Sequence, residues 1–142
     1  MTKFTDITAP QNFKIYDSCP LLKLKFEFNA HCRIFFTVDK YKDLSHHHYA
    51  FYLTVSSPIN HMGLGVDFFE VEKIYTTYLA PKLNDQLLNH TLPEMNMTAE
   101  NIAYWLWQQF EQYLPSDVDI ETLELFEAPT HSVILNRQIM NE

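Results

Sequence analysis

The stretch Leu22-Lys23-Leu24-Lys25-Phe26-Glu27-Phe28-Asn29-Ala30-His31 decides the fold. Side chains alternate across an extended strand, so Leu22, Leu24, Phe26 and Phe28 share one face while Lys23, Lys25, Glu27, Asn29 and His31 share the other. Such alternation marks a half-buried strand whose apolar side lies on a core. The strand extends or bends into Cys32-Arg33-Ile34-Phe35-Phe36-Thr37-Val38.

Residues 39–44 are charged and read as a connection, followed by a second strand, Tyr49-Ala50-Phe51-Tyr52-Leu53-Thr54-Val55, rich in aromatic and β-branched residues. Residues 56–61 form a loop of turn-formers, in which His61 is a loop histidine. Asp67 then caps a helix whose Phe68, Val71, Tyr75 and Tyr78 make one apolar stripe, with Pro81 as its stop. Residues 82–97, including His90, read as loop. Thr98 caps a second helix, with Ile102, Trp105, Leu106, Phe110 and Tyr113 on one face and Pro115 at its end. Two further strands are expected at residues 119–126 and at His131–Asn136. The order β-β-α-α-β-β implies an α+β domain, an antiparallel four-stranded sheet with both helices on one face. The other face needs cover, and a second subunit supplies it.

A chain of 142 residues, 46% hydrophobic and 15% aromatic, makes one domain with a sizeable core. Residues 1–20, of mixed polarity with two prolines, read as an irregular lead-in, and residues 21–142 as the domain. No apolar run reaches the length of a membrane span and no signal pattern opens the chain, so a cytoplasmic address is expected. Cys19 and Cys32 are too few for a disulfide framework and make no CxxC pair. A net charge of -8 argues against nucleic acid as the main partner, and two glycines exclude a Gly-rich phosphate loop.

Chemistry is concentrated in Ser45-His46-His47-His48-Tyr49. In a strand His46 and His48 project from one face and His47 from the other, and His31 sits at the end of the preceding strand's polar side. Three imidazoles suit a zinc ion that keeps a fourth position open. A histidine-rich surface turn is the competing reading, while the internal position argues against an expression tag.

Several segments resemble one family in order and spacing. Phe28-Asn29-Ala30-His31 resembles F-x-A-A-H, and His46-His47-His48 resembles H-G-H. Gly63-Leu64-Gly65-Val66-Asp67-Phe68 is similar to G-M-V-x-D-F, Met97-Thr98-Ala99-Glu100-Asn101 to P-T-A-E-N, and Leu123-Glu124-Leu125-Phe126-Glu127-Ala128 to V-x-V-x-E-T. Together they resemble the 6-pyruvoyl-tetrahydropterin synthase and 6-carboxy-tetrahydropterin synthase family. The resemblance implies a tunnelling fold, in which three subunits close a barrel and two trimers stack as a hexamer. It also implies zinc on His31, His46 and His48, a lyase-type reaction on 7,8-dihydroneopterin triphosphate, and Glu127 as the acid that receives the pterin edge.

The chain departs from that pattern at two places. The family's cysteine before H-x-H has no counterpart in Lys40-Tyr41-Lys42-Asp43-Leu44-Ser45, and its L-D-H motif appears as Leu83-Asn84-Asp85. Asn84 cannot take a proton as a carboxylate does, which leaves Asp43 and Asp85 as substitutes for proton transfer. Aligning backward from Tyr49 sets Ser45 and His47 in the ligand places, whereas spacing forward from His31 selects His46 and His48. The expected function is a zinc-dependent tetrahydropterin synthase-like enzyme forming a 6-pyruvoyl or 6-carboxy product, or cleaving the side chain. A repurposed pterin- or purine-binding member of the fold and a plain oligomeric interaction domain are the alternatives. His131, near Glu127 in sequence, borders the same pocket on this reading.

Overall fold

The computed structural model describes residues 3–141. Four strands, β1 (Leu21–Phe35), β2 (Tyr41–Ser56), β3 (Asp119–Ala128) and β4 (His131–Asn136), form an antiparallel sheet in sequence order. The helices between β2 and β3 pack on one face, so the α+β architecture and the β-β-α-α-β-β order are those the sequence implies. Residues 3–20 are exposed and contain one short 3-10 turn at Phe4–Asp6.

The alternation in β1 holds over its whole length. Leu24, Phe26, Phe28, Ala30, Cys32 and Ile34 are buried, and β2 presents Tyr49, Phe51, Leu53 and Val55 to the same core. The hairpin joining these strands is shorter than the charged run 39–44 suggests, because β2 begins at Tyr41. All three consecutive histidines are therefore strand residues. Arg33 explains the early start, since it binds Asp43 across the hairpin and stacks its guanidinium on Tyr41 at 3.8 Å, which turns a polar run into a paired strand.

The first helix differs from the expected one in length and in phase. α1 (Phe68–Ile74), capped by the Asp67 carboxylate accepting from the Phe69 N–H, runs into a π turn at Tyr75–Leu79 and on into α2 (Ala80–Leu83). Pro81 does not stop the rod. A proline ring collides with the carbonyl four residues back in a regular helix, and the wider turn, in which the Ala80 N–H reaches the Tyr75 carbonyl, removes that collision. The extra residue also rotates the stripe, so Leu79 and Leu83 are buried in place of Tyr78, which lies outside and stacks on Tyr113 at 4.0 Å. A one-turn helix, α3 (Leu88–Thr91), interrupts the segment expected as loop.

α4 (Ala99–Tyr113) starts where Thr98 accepts from the Asn101 N–H. It buries Ile102, Trp105, Leu106, Trp107 and Phe110 against the sheet, a broad apolar face consistent with a helix that lies along the middle of a sheet. The aromatic centre of the core is Phe51, with ring centroids 5.1 Å from Phe26, 6.3 Å from Phe28, 5.8 Å from Tyr75 and 6.0 Å from Phe110.

β1 is an edge strand, and a run of asparagines closes its second half. Asn84 Oδ1 accepts from the Asn29 N–H, Asn89 accepts from the Arg33 N–H at 2.7 Å and donates to the Arg33 carbonyl at 3.1 Å, and Asn96 does the same at Phe35. Between them the Gln86 carbonyl takes the His31 N–H at 2.9 Å and the Asp85 N–H donates to Asn29 at 2.7 Å. These bonds fasten residues 84–96 along the strand beside His31.

Candidate functional site

A break in the β1–β2 ladder builds the site. The register shifts between Ala30 and Cys32, where Ser45 and His46 together face His31, and His46 takes a left-handed φ of 51° to make the extra turn. His46 thereby folds back over β1. Its N–H donates to His31 Nδ1 at 2.9 Å, and the two rings stand edge to face with centroids 4.4 Å apart. Because Nδ1 of His31 accepts, the proton of its neutral ring sits on Nε2.

His48 is placed otherwise. It pairs with Asn29 across the ladder, its Nδ1 donates to Asn29 Oδ1 at 3.0 Å, and its Nε2 lies 3.5 Å from a Glu27 carboxylate oxygen. The structure thus brings His31 and His46 together and keeps His48 on neighbouring side chains. Among the described residues, no three His, Cys, Asp or Glu side chains converge on a point where a metal ion could sit. As arranged, the three histidines do not converge to hold a zinc ion.

His47 pairs with the buried Ala30 across the ladder and donates from Nε2 to the Glu127 carbonyl at 2.6 Å. Its ring stands edge-on to Tyr49, with 4.8 Å between centroids, and the Tyr49 hydroxyl lies 3.4 Å from Cys32 Sγ. Burial pushes both the Cys32 thiol and the Tyr49 phenol above their ordinary values, and the Glu127 charge nearby adds to each. Cys32 is therefore a poor thiolate at neutral pH.

Glu127 sits at the second break in the sheet, between Phe126 and Ala128, where β3 and β4 change register. It is half-buried and borders a cavity of about 630 Å³ on the sheet face away from the helices, together with His46, His47, His48, Tyr52 and Phe126. Lys25 and Glu27 border the same cavity from β1. Tyr52 and Phe126 meet edge to face at 6.0 Å, giving an apolar, aromatic wall beside Glu127 and the imidazoles. That combination of an apolar wall with a few polar groups is what a small heterocycle needs.

The two aspartates lie elsewhere. Asp43 accepts from Arg33 Nε at 2.6 Å and Nη2 at 3.0 Å, and this guanidinium holds its carboxyl below the usual range, which makes it a weak base. Asp85 adopts a φ of 57° to place its N–H on Asn29, and it borders neither the histidine cavity nor the separate cavity of about 630 Å³ that His31 and Asp43 line. His90 borders that second cavity, and His131 contacts Thr130 at 3.2 Å. Two residues had no separate signal in the sequence: Asn29, which orients His48, and Tyr52, whose ring walls the cavity. Both are marked only by standing on the outer side of a strand next to a histidine-bearing register position.

An antiparallel sheet with helices on one face and a histidine-lined cavity on the other defines an α+β protein with a candidate small-molecule site. The family model described as 6-pyruvoyl tetrahydropterin synthase matches residues 21–138, and the chain belongs to that family. A dihydroneopterin monophosphate aldolase from Pyrococcus furiosus is 28% identical over 98 residues, which is 69% of this chain and 82% of that protein. The 6-pyruvoyl tetrahydropterin synthase of Caenorhabditis elegans superposes with a TM-score of 0.67 at 13% identity, covering 85% of this chain and 99% of that one. The Plasmodium falciparum synthase gives 0.62 at 15% identity, covering 84% and 98%. At these identities the structures speak for the fold. No helix among the described residues is long and apolar enough to cross a membrane.

Proposed function

We propose that this chain is an enzyme of pterin metabolism that binds a phosphorylated dihydroneopterin in the histidine cavity and acts on its side chain. The observation that carries this reading is Glu127, a half-buried acid at a sheet break that borders a cavity walled by Tyr52 and Phe126. A pterin presents an amino group and a ring N–H side by side, and one carboxylate matches both while the ring lies against the aromatic wall. Proton transfer falls to the imidazoles. His46 borders the cavity and is fixed through its own backbone bond to His31, whereas Asp43 is neutralised by Arg33 and Asp85 lies outside the cavity. A homo-oligomer, trimeric or hexameric as the family resemblance implies, would cover the open sheet face.

The test is binding and turnover. Incubation with 7,8-dihydroneopterin triphosphate and with the monophosphate, followed by product mass, distinguishes loss of phosphate with rearrangement from cleavage of the side chain. Glu127→Ala is expected to weaken 7,8-dihydroneopterin binding by at least about tenfold, the loss of a charge-assisted contact. Unchanged affinity in that variant rejects the anchor. A second reading, pterin binding without turnover, is supported by the Arg33–Asp43 pair and by the inert Cys32; tight binding with unaltered substrate is its signature.

Zinc enters this proposal with one structural condition. His48 has to leave Asn29 and Glu27 to join His31 and His46. Zinc titration against a competing chelator is therefore expected to show tighter binding in Asn29→Ala than in the parent, by about fivefold for one released neutral hydrogen bond, and loss of binding in His46→Ala. Equal affinities in all three proteins would remove these histidines from the metal's ligand set.

A further inference from the structure

We infer that His47 is a positioning residue that fixes the backbone of Glu127, which borders both the histidine cavity and a smaller one at the start of α4, an inference that rests on Glu127 being the pterin anchor proposed above. The geometry is specific. The β2–β3 ladder runs from Ser56 paired with Asp119 to Ala50 paired with Phe126 and goes no further. The β3–β4 ladder skips Glu127, pairing Phe126 with Ser132 and then Ala128 with His131. Glu127 is thus the one residue of this corner that neither ladder fixes. The bond from His47 Nε2 to its carbonyl, 2.6 Å long and spanning 80 residues of sequence, takes the place of the missing ladder contact.

The donor is itself held. His47 stands edge-on to Tyr49, which is 1% exposed and whose hydroxyl meets the buried Cys32 thiol, so the ring rests on a rigid base. A carbonyl accepts only, which sets the proton on Nε2. His46 is bound through its N–H to His31 and His48 through its ring to Asn29, both on β1, whereas the His47 ring bonds to β3. The motif that His46-His47-His48 resembles has glycine in the middle, and glycine has no side chain with which to make such a tether.

A tether on the backbone of a bulged residue sets where that residue's carboxylate points, because rotation of the flanking peptide swings the side chain with it. The experiment compares His47→Phe, which keeps a ring against Tyr49 but removes the donor, with His47→Gln, which restores an N–H at similar reach. Affinity for 7,8-dihydroneopterin is read by fluorescence titration, and thermal melting is measured in parallel. The expected result is about tenfold weaker binding for His47→Phe, recovery to near the parent value for His47→Gln, and no additional loss when His47→Phe is combined with Glu127→Ala. Parent-like affinity in His47→Phe, with Glu127→Ala impaired, overturns the role of His47 and leaves the anchor standing. Parent-like affinity in Glu127→Ala overturns the anchor and this inference together. Should His47→Phe fail to fold, His47→Ala and His47→Gln form the same comparison, and equal affinity for that pair overturns the inference.

Discussion

Phe51→Ala is expected to destabilise the domain by about 3–5 kcal/mol, the range for removing a fully buried phenylalanine from a packed core. Phe51 is 0% exposed and lies in the middle strand pair, touching rings from β1, from the π turn and from α4. Each neighbour belongs to a different element, so no single one can move in to fill the space without pulling its own element off the sheet. For a chain of this size the loss corresponds to a fall in melting temperature of about 10–15 °C. Thermal denaturation followed by circular dichroism measures it. A fall of only 1–2 °C would mean that the helices do not rest on the sheet as described.

The sheet was legible because its signal is periodic. Leu24, Phe26 and Phe28 alternate with Lys25 and Glu27, and burial alternates with them residue by residue. Helix α4 was legible for the same reason, with Thr98 as its cap and Ile102, Trp105, Leu106 and Phe110 inward. What the sequence did not convey is where periodicity breaks. The π turn at Tyr75–Leu79 moves the buried stripe from Tyr78 to Leu79, and no residue type announces it except Pro81, which reads more simply as a stop. At the site, strict alternation puts His46 and His48 side by side. The bulge at His31 separates them instead, because His46 turns left-handed to cap His31 while His48 stays in register with Asn29.

The same limit applies to the acids. Glu127 stands at a bulge that strand periodicity does not announce, and there it borders the histidine cavity and a second one at the start of α4. Asp43 looked like a loop acid near the histidines. Its bidentate pairing with Arg33 depends on a hairpin register that sequence spacing alone does not supply, and that pairing also lengthens β2. The bulges and the pairing are therefore two sides of one arrangement, with Arg33–Asp43 fixing the hairpin at one side of the break and His48–Asn29 at the other.

Asn89→Ala tests the element that the sequence hides most fully. Residues 82–97 read as loop because asparagines bonding to a strand's backbone leave no hydrophobic period, yet Asn89 satisfies both the N–H and the carbonyl of Arg33 and so acts as one residue of a missing neighbour strand. Alanine removes both bonds and leaves a partly buried N–H without its partner, an expected loss of about 2–3 kcal/mol. The effect extends beyond stability. With Asn84 and Asn96 still in place the segment stays attached at its ends, but the middle, next to His31, is released, and a strand edge with unpaired groups becomes available to another chain. The variant is expected to show faster amide exchange at Arg33 and concentration-dependent association by light scattering. Asn89→Asp, which keeps the acceptor for the Arg33 N–H but sets a carboxylate against the Arg33 carbonyl 3.1 Å away, is expected to lose at least as much, because two acceptors then face each other. Parent-like exchange at Arg33 in Asn89→Ala would show that the backbone bonds of Gln86 and Asp85 hold the segment on their own.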